Sequence, residues 1–89
     1  MATPVRQPFD RAVHEARVFD IARDLLRELG SYHALESVRG SAQLDRDLGL
    51  GSLERVELLV RLDREFGVSL PDRVLAEADT LDDLIAALA

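Results

Sequence analysis

Residues 44–58 read LDRDLGLGSLERVEL and determine most of what can be said about this chain. Up to Gly51 the stretch is rich in glycine and lacks an apolar period, which is typical of a loop. From Ser52 onward, apolar residues recur at helical spacing and predict an amphipathic helix. Ser52 therefore follows a glycine at the start of a helix. The free N–H groups and the positive end of the helix dipole there tolerate an anionic substituent on its hydroxyl.

The helix that begins at Ser52 is predicted to run to about Phe66 and to end at Gly67. Its expected buried face consists of Leu53, Val56, Leu59, Val60, Leu62 and Phe66. The charged side chains expected to face water are Glu54, Glu57, Arg61 and Arg64. Such a helix can bury one side against a core and present the other side to solvent.

The region before this helix divides into a first helix and a long loop. The first helix is predicted to begin at an Asp10 N-cap and to stop at Gly30. Its expected apolar stripe is Val13, Ala16, Phe19, Ala22, Leu26 and Leu29, widened by Val18, Ile21 and Leu25. Residues 31–51 show no clear period, and loops of this length are usually functional. The residues expected to pin the loop to the core are Leu35, Val38, Leu44, Leu48 and Leu50.

Two shorter helices are predicted after Gly67. Pro71 is suited to opening a third helix that extends to about Glu77. Thr80 then caps a last helix, in which Asp82 and Asp83 complement the helix dipole. The expected inner residues of this last helix are Leu81, Leu84, Ile85 and Leu88. The sequence thus predicts an all-α, four-helix bundle with three main helices, a short third helix and a long first loop.

Length and composition restrict the function. Residues 1–9 hold two prolines and predict a flexible leader, so residues 10–89 form one small domain with little room for a catalytic cleft. The chain has no cysteine, which excludes thiol nucleophiles and thiolate metal sites.

Its net charge is −6, with nine acidic residues and four arginines in residues 52–89, which disfavours nucleic acid as a partner. No apolar run is long enough to span a membrane, and we expect a cytoplasmic monomer.

Several chemical roles compete for the polar residues. Ser52 can be read simply as an N-cap, a common role of serine, although a capping box would require Glu or Gln where Arg55 stands. A hydrolase would need the pattern Gly-x-Ser-x-Gly, which is absent around Ser52. His14 and His33 are isolated from other ligand-type residues and do not form a metal-binding pattern.

The two stretches 47–58 (DLGLGSLERVEL) and 65–72 (EFGVSLPD) together resemble acyl carrier proteins, a phosphopantetheine-binding family. The resemblance implies that Ser52 receives 4′-phosphopantetheine from coenzyme A, through a phosphopantetheinyl transferase that uses magnesium. The thiol of this arm would hold an acyl, aminoacyl or polyketide group as a thioester. The chain would then be a non-catalytic carrier, and its lack of cysteine becomes coherent because the cofactor supplies the sulfur.

The resemblance also implies a partner-docking surface on the second helix. The positions concerned are Gly51, Leu53, Glu54, Arg55, Val56, Glu57 and Arg61. Surface charge there would steer partner enzymes, which we expect to include a loading ligase or acyltransferase and a ketosynthase or other synthase modules. A groove sheltering the bound chain would be lined by Val56, Leu59 and Val60.

Two departures from the family pattern bear on the pathway. Gly51 stands where the family commonly has Asp, and three arginines interrupt a helix that is more uniformly acidic in carriers of primary fatty-acid synthesis. These departures favour a polyketide or nonribosomal pathway. The alternatives are a fatty-acid carrier, an unmodified helical interaction module in which Ser52 only caps, and a miniature serine hydrolase.

Overall fold

The computed structural model describes residues 8–89, so most of the predicted leader, residues 1–7, lies outside the described part. Its α-helices are, in order, α1 Arg11–Glu28, α2 Ser52–Phe66, α3 Asp72–Glu77 and α4 Leu81–Leu88. A 3-10 helix, Tyr32–Ser37, lies between α1 and α2, where the sequence predicted only loop. Within residues 8–89 there is no strand, only an isolated bridge between Gln43 and Thr80. The predicted all-α class, with a short third helix, is confirmed.

Both ends of α1 follow the predicted signals. The Asp10 carboxylate accepts hydrogen bonds from the N–H groups of Ala12 and Val13, at 3.1 and 3.3 Å. At the other end Gly30 has φ +75°, and the Ser31 N–H donates to the Leu26 carbonyl at 2.8 Å. The left-handed Gly30 ends the helix, and the hydrogen bond from Ser31 satisfies the Leu26 carbonyl, which has no partner within the helix.

The buried face of α1 differs from the predicted stripe. Val13 is 52% exposed and Leu29 45% exposed, and Ala16 is also exposed. The residues that are buried are His14, Val18, Ala22, Leu25 and Leu26. Four of these, Val18, Ala22, Leu25 and Leu26, were predicted, whereas His14 is buried at the start of the helix, where its ring packs between two aromatic rings. Its centroid lies 4.8 Å from that of Phe66, with the rings nearly parallel, and 4.8 Å from that of Phe9.

The loop before α2 is held against the start of α4 by backbone hydrogen bonds. The Leu44 N–H donates to the Asp79 carbonyl at 2.8 Å, and the Asp82 N–H donates to the Gly40 carbonyl at 2.9 Å. Four of the five predicted anchors are buried, Val38, Leu44, Leu48 and Leu50, while Leu35 is half-buried. A loop pinned by both side chains and backbone can deliver the following helix in a fixed position.

The predicted ends of α2 are confirmed, but its predicted buried face is partly wrong. Leu58, Leu59 and Leu62 are buried, whereas Leu53, Val56 and Val60 are exposed. The helix carries apolar residues on two sides, and only one side meets α1 and α3. Apolar periodicity marks both sides alike, so it does not identify the side that packs.

The last helix begins with a reciprocal cap. The Thr80 hydroxyl accepts a hydrogen bond from the Asp83 N–H at 3.2 Å. The Asp83 carboxylate accepts hydrogen bonds from the N–H groups of Thr80 and Asp79, at 3.1 and 2.8 Å. These backbone donors lower the pKa of Asp83. The predicted inner residues of α4 are all buried: Leu81, Leu84, Ile85 and Leu88.

Asp83→Asn tests this cap. It should lower the free energy of unfolding at pH 7 by about 0.3–1 kcal/mol, the usual worth of a carboxylate at a helix start. Because folding lowers the pKa of Asp83, the wild-type advantage is complete above the ordinary carboxyl pKa of about 3.9 and is lost as pH falls through the folded-state value. Urea unfolding at several pH values measures the difference. Glu36→Gln, an exposed carboxylate with no hydrogen bond among the described residues, should show no such trend, and an equal trend would contradict the account.

Candidate functional site

Ser52 is the first residue of α2, and the residue that caps the helix is Gly51. Gly51 has extended backbone angles, φ −80° and ψ −174°, and its carbonyl accepts the first helical hydrogen bond, from the Arg55 N–H at 3.0 Å. The alternative that Ser52 serves as the N-cap is therefore wrong. Its side chain is exposed and forms no hydrogen bond with the residues that the structure describes.

The N–H of Gly51 is satisfied by the side chain of Glu54. That carboxylate accepts it at 2.9 Å, which is the second half of a capping box that begins at Gly51, one position before the Ser52–Arg55 spacing. The missed signal was the spacing of three between Gly51 and Glu54. A methyl group at position 51 would lie 2.8 Å from the Glu54 carboxylate, so any larger residue there must move it.

The loop fixes the position of the serine while leaving it open. Leu48 and Leu50 are buried at 1% and 2% exposure, and Gly49 between them has φ +67°. The next three residues, 51–53, are all exposed. The Ser52 hydroxyl consequently stands at the start of a helix, where the first-turn N–H groups have no helical acceptors. A phosphodiester on this oxygen would lie in a favourable field.

The predicted docking residues form two groups in the structure. Leu53 and Val56 form an exposed apolar stripe with Val60, which was predicted only as groove lining; the three are spaced three and four apart, and Leu53, beside Ser52, is 80% exposed. Glu57 also faces solvent, and its carboxylate accepts a hydrogen bond from Arg61 at 2.7 Å. The predicted groove lining is divided, since Leu59 is buried while Val56 and Val60 are not.

Arg61 links α2 to α1 through a paired contact. Two of its guanidinium nitrogens donate to both oxygens of Glu28, at 2.8 and 2.7 Å. Hydrogen bonds from Arg61 lower the pKa of Glu28, and those to Glu28 and Glu57 raise the pKa of Arg61. A shallow groove runs beside this cluster, lined by Ile21, Asp24, Glu57, Arg61, Arg64 and Glu65. It lies between α1 and α2 and does not reach Ser52.

Arg55 points towards α3. One of its terminal nitrogens donates to the carbonyl oxygens of Leu75 and Ala78, at 3.1 and 2.7 Å. Its side chain is therefore engaged within the fold, although sequence reasoning placed it among the docking residues. Nothing in the sequence of α3 predicts this contact, because the acceptors are backbone carbonyl oxygens.

No cluster of three or more metal-ligand side chains occurs within residues 8–89. His14 is buried between aromatic rings, and His33 is exposed on the 3-10 helix. None of the helices in this range is long and apolar enough to cross a membrane.

The fold and the site define a small helical domain that presents one open serine at a helix start. A family described as the phosphopantetheine attachment site matches residues 16–88. The chain belongs to this family, that of the acyl carrier proteins, which confirms the predicted cofactor, 4′-phosphopantetheine, and the predicted class of non-catalytic carrier.

Curated relatives agree with this assignment. The chain is 35% identical over 71 residues to an acyl carrier protein of Porphyromonas gingivalis, covering 80% of this chain and 85% of the relative. It is 32% identical over 68 residues to one of Campylobacter hominis, covering 76% and 85%. A mitochondrial acyl carrier protein of Saccharomyces cerevisiae is 36% identical over 52 residues, which span 58% of this chain and 42% of that protein. No solved structure gave a significant match.

The free energy of unfolding tests whether Ser52 caps α2. Ser52→Ala should change the free energy of unfolding by less than about 0.5 kcal/mol, because its hydroxyl supports no hydrogen bond. The matched variant Thr80→Ala removes a hydroxyl that does cap a helix and should cost about 1 kcal/mol. Urea unfolding of both variants beside the wild type provides the comparison. Equal losses would contradict the assignment of Gly51 as the cap.

Proposed function

We propose that Ser52 is the residue that carries 4′-phosphopantetheine. The observation that supports it most is the open, unbonded hydroxyl at the start of α2, in a chain of the phosphopantetheine attachment family. In the transfer, a bond forms between the serine oxygen and the phosphorus that bears the pantetheine of coenzyme A. The pyrophosphate bond breaks, 3′,5′-ADP leaves, and the hydroxyl proton passes to a base of the transferase. The arm then holds its cargo as a thioester in solvent.

Intact-mass measurement tests the attachment site. The unmodified chain is incubated with coenzyme A, Mg²⁺ and a broad-specificity phosphopantetheinyl transferase, and it should gain the mass of one phosphopantetheinyl group. Ser52→Ala should gain nothing, whereas Ser69→Ala, which alters another exposed serine, should be modified like the wild type.

Two outcomes would contradict the proposal. A mass gain that persists in Ser52→Ala would move the site elsewhere. No gain in the wild type, while an active carrier in the same tube is modified, would exclude the function.

The proposed partners are a phosphopantetheinyl transferase, a loading ligase or acyltransferase, and a ketosynthase or other synthase modules. They would dock on the outer side of α2, where Leu53, Val56 and Val60 form an apolar stripe with Glu57 beside it. Arg55 is left out of this surface because its guanidinium is bound to α3. The carboxylate of Glu54 bonds its own helix start, so the negative charge that faces a partner is modest.

We further propose that the chain serves a polyketide or nonribosomal pathway. The support is the replacement of Asp by Gly51 before the attachment site and the presence of three arginines on α2. Two of these, Arg55 and Arg61, are engaged within the fold, so they reduce the acidity of α2 without offering positive charge to a partner. Loading assays compare an aminoacyl donor with a fatty acyl donor: selective aminoacyl loading would support a nonribosomal role, and selective fatty acyl loading would favour fatty-acid synthesis. A cytoplasmic location and a monomeric state stay predictions.

The alternative of an unmodified interaction module required Ser52 to act as a cap. The N-cap of α2 is Gly51, so Ser52 does not have the capping role that this alternative assigned to it. A hydrolase would need a base beside the hydroxyl, and Ser52 forms no hydrogen bond with the residues described.

Glu57→Arg tests the electrostatic part of the docking surface. We expect the initial rate of modification by the transferase to fall about tenfold at low salt, because charge complementarity raises encounter rates. The difference should shrink as salt rises above 0.1 M or so, where charges are screened beyond about 10 Å. Arg61 keeps its pair with Glu28, so the fold should be retained. Glu36→Arg makes the same charge change on the 3-10 helix, and an equal effect of both variants would contradict a localised surface.

A further inference from the structure

The short helix α3 has little of its own to hold it in place. It contains six residues, none of them buried, and its cap, Pro71, provides no side-chain hydrogen bond. Isolated helices of this length are unstable in water, so α3 depends on contacts with the rest of the fold. Val74 and Leu75, which are half-buried, supply the apolar part of these contacts.

The segment that contains α3 is fixed at two points that flank it. On one side the Asp63 carboxylate of α2 accepts a hydrogen bond from the Leu70 N–H at 3.0 Å. On the other side the Asp79 carbonyl accepts the Leu44 N–H of the loop at 2.8 Å. Residues 71–78 lie between these two fixed points, and we call them the α3 strap.

Arg55 is the one residue of α2 whose side chain bonds the strap itself, among the residues that the structure describes. Its guanidinium donates to the carbonyl oxygens of Leu75 and Ala78, which lie at the C-terminal end of α3 and lack helical partners. A cationic group at that end also suits the helix dipole. Arg55 therefore caps α3 from another helix.

The contact is incomplete, because the Nε atom of Arg55 is buried without a hydrogen-bond partner. A buried donor left unpaired costs free energy and offsets part of what the two bonds contribute. When the strap lifts, water can reach this nitrogen and supply the missing acceptor. The net contribution of Arg55 to closure of the strap is therefore smaller than its two hydrogen bonds alone would give.

The position of Arg55 connects the strap to the candidate site. Arg55 is three residues after Ser52, about one helical turn along α2. It also shares a face with Leu58, Leu59 and Leu62, the buried residues of α2, at spacings of three, four and seven. The buried face of α2 thus begins at Arg55, at the end of the helix that carries Ser52.

We propose that Arg55 is a positioning residue that latches the α3 strap to α2. When the latch releases, the strap bows outward between Leu70 and Asp79 and opens the apolar interior beside the Ser52 end of α2. This gives an apolar guest access to the interior without unfolding of α1, α2 or α4. That a carried chain uses this opening rests on the proposed function, whereas the latch itself belongs to the unmodified chain.

Hydrogen exchange on the unmodified chain tests the latch. The amides to follow are those of Val74 and Ala78, which donate within the strap to Pro71 and Val74. Arg55→Met should speed their exchange about tenfold relative to the amides of α1, since local opening is set by local contacts. Arg55→Lys keeps the charge but replaces the planar guanidinium with a smaller ammonium group, and it should fall between Arg55→Met and the wild type.

The matched control is Arg64→Met, which removes an exposed arginine of the same helix that makes no hydrogen bond or ion pair with the described residues. It should leave exchange in the strap unchanged. Binding of Nile red, a neutral apolar dye, gives a second measurement and should rise several-fold in Arg55→Met but not in Arg64→Met.

The proposal is overturned if Val74 and Ala78 exchange at wild-type rates in Arg55→Met. It is also overturned if the amides of α1 accelerate equally, because Arg55 would then contribute only to global stability. Equal dye binding by Arg55→Met and Arg64→Met would contradict the proposal that release of the strap opens the interior. Since no transferase or cofactor enters these experiments, their failure and the failure of Ser52 modification are separate results.

Discussion

The constraint on which the rest of the structure depends is the anchoring of the loop immediately before α2. Leu48 and Leu50 are buried, and Gly49 between them takes the left-handed turn that lets both side chains enter the core. Because the chain is fixed up to Leu50, the next residues must emerge, and residues 51–53 are exposed. Ser52 is thus presented by the burial of its neighbours and needs no hydrogen bond of its own. Burying two leucines removes enough apolar surface from water to hold this arrangement firmly.

The charged side chains of α2 largely serve the fold. Glu54 satisfies the Gly51 N–H, Arg61 joins Glu28 and Glu57, Asp63 holds Leu70, and Glu65 pairs with Arg17. Exposed ion pairs of this kind contribute little stability individually, but they fix side chains in place. The outer side of α2 consequently exposes an apolar stripe with few uncommitted charges. If partners dock there as proposed, shape and apolar contact add to modest steering in weak and repeated encounters.

Much of the fold could be predicted because its signals are local. The caps at Asp10 and Thr80, the glycine stops and the loop anchors each depend on residues close in sequence. The selection of the buried face could not be predicted in this way. On α1, His14 is buried and Val13 is exposed, because Phe66 from the end of α2 stacks on the imidazole ring of His14. The spacing of apolar residues along one helix does not predict which residues of another helix will contact it.

The site shows the same division. Ser52 could be proposed as the attachment residue from its motif, but the finding that it does not cap α2 depends on the position of the helix start, one residue earlier than the capping alternative assumed. The role of Arg55 was missed for a different reason, since its partners are backbone carbonyls that any sequence would supply. Only the tertiary arrangement brings the end of α3 within reach of this side chain.

The central claim is that the arm is attached to Ser52, and peptide mapping of the modified chain tests it most directly. Trypsin cleaves after Arg46 and Arg55, and the released peptide 47–55 contains Ser52 as its one hydroxyl-bearing residue. The other serines after residue 27 lie in different tryptic peptides: 28–39, 40–46 and 65–73. The account predicts that tandem mass spectrometry finds the phosphopantetheinyl group on peptide 47–55 alone. Finding it on any of the other three peptides, with 47–55 unmodified, would contradict the account.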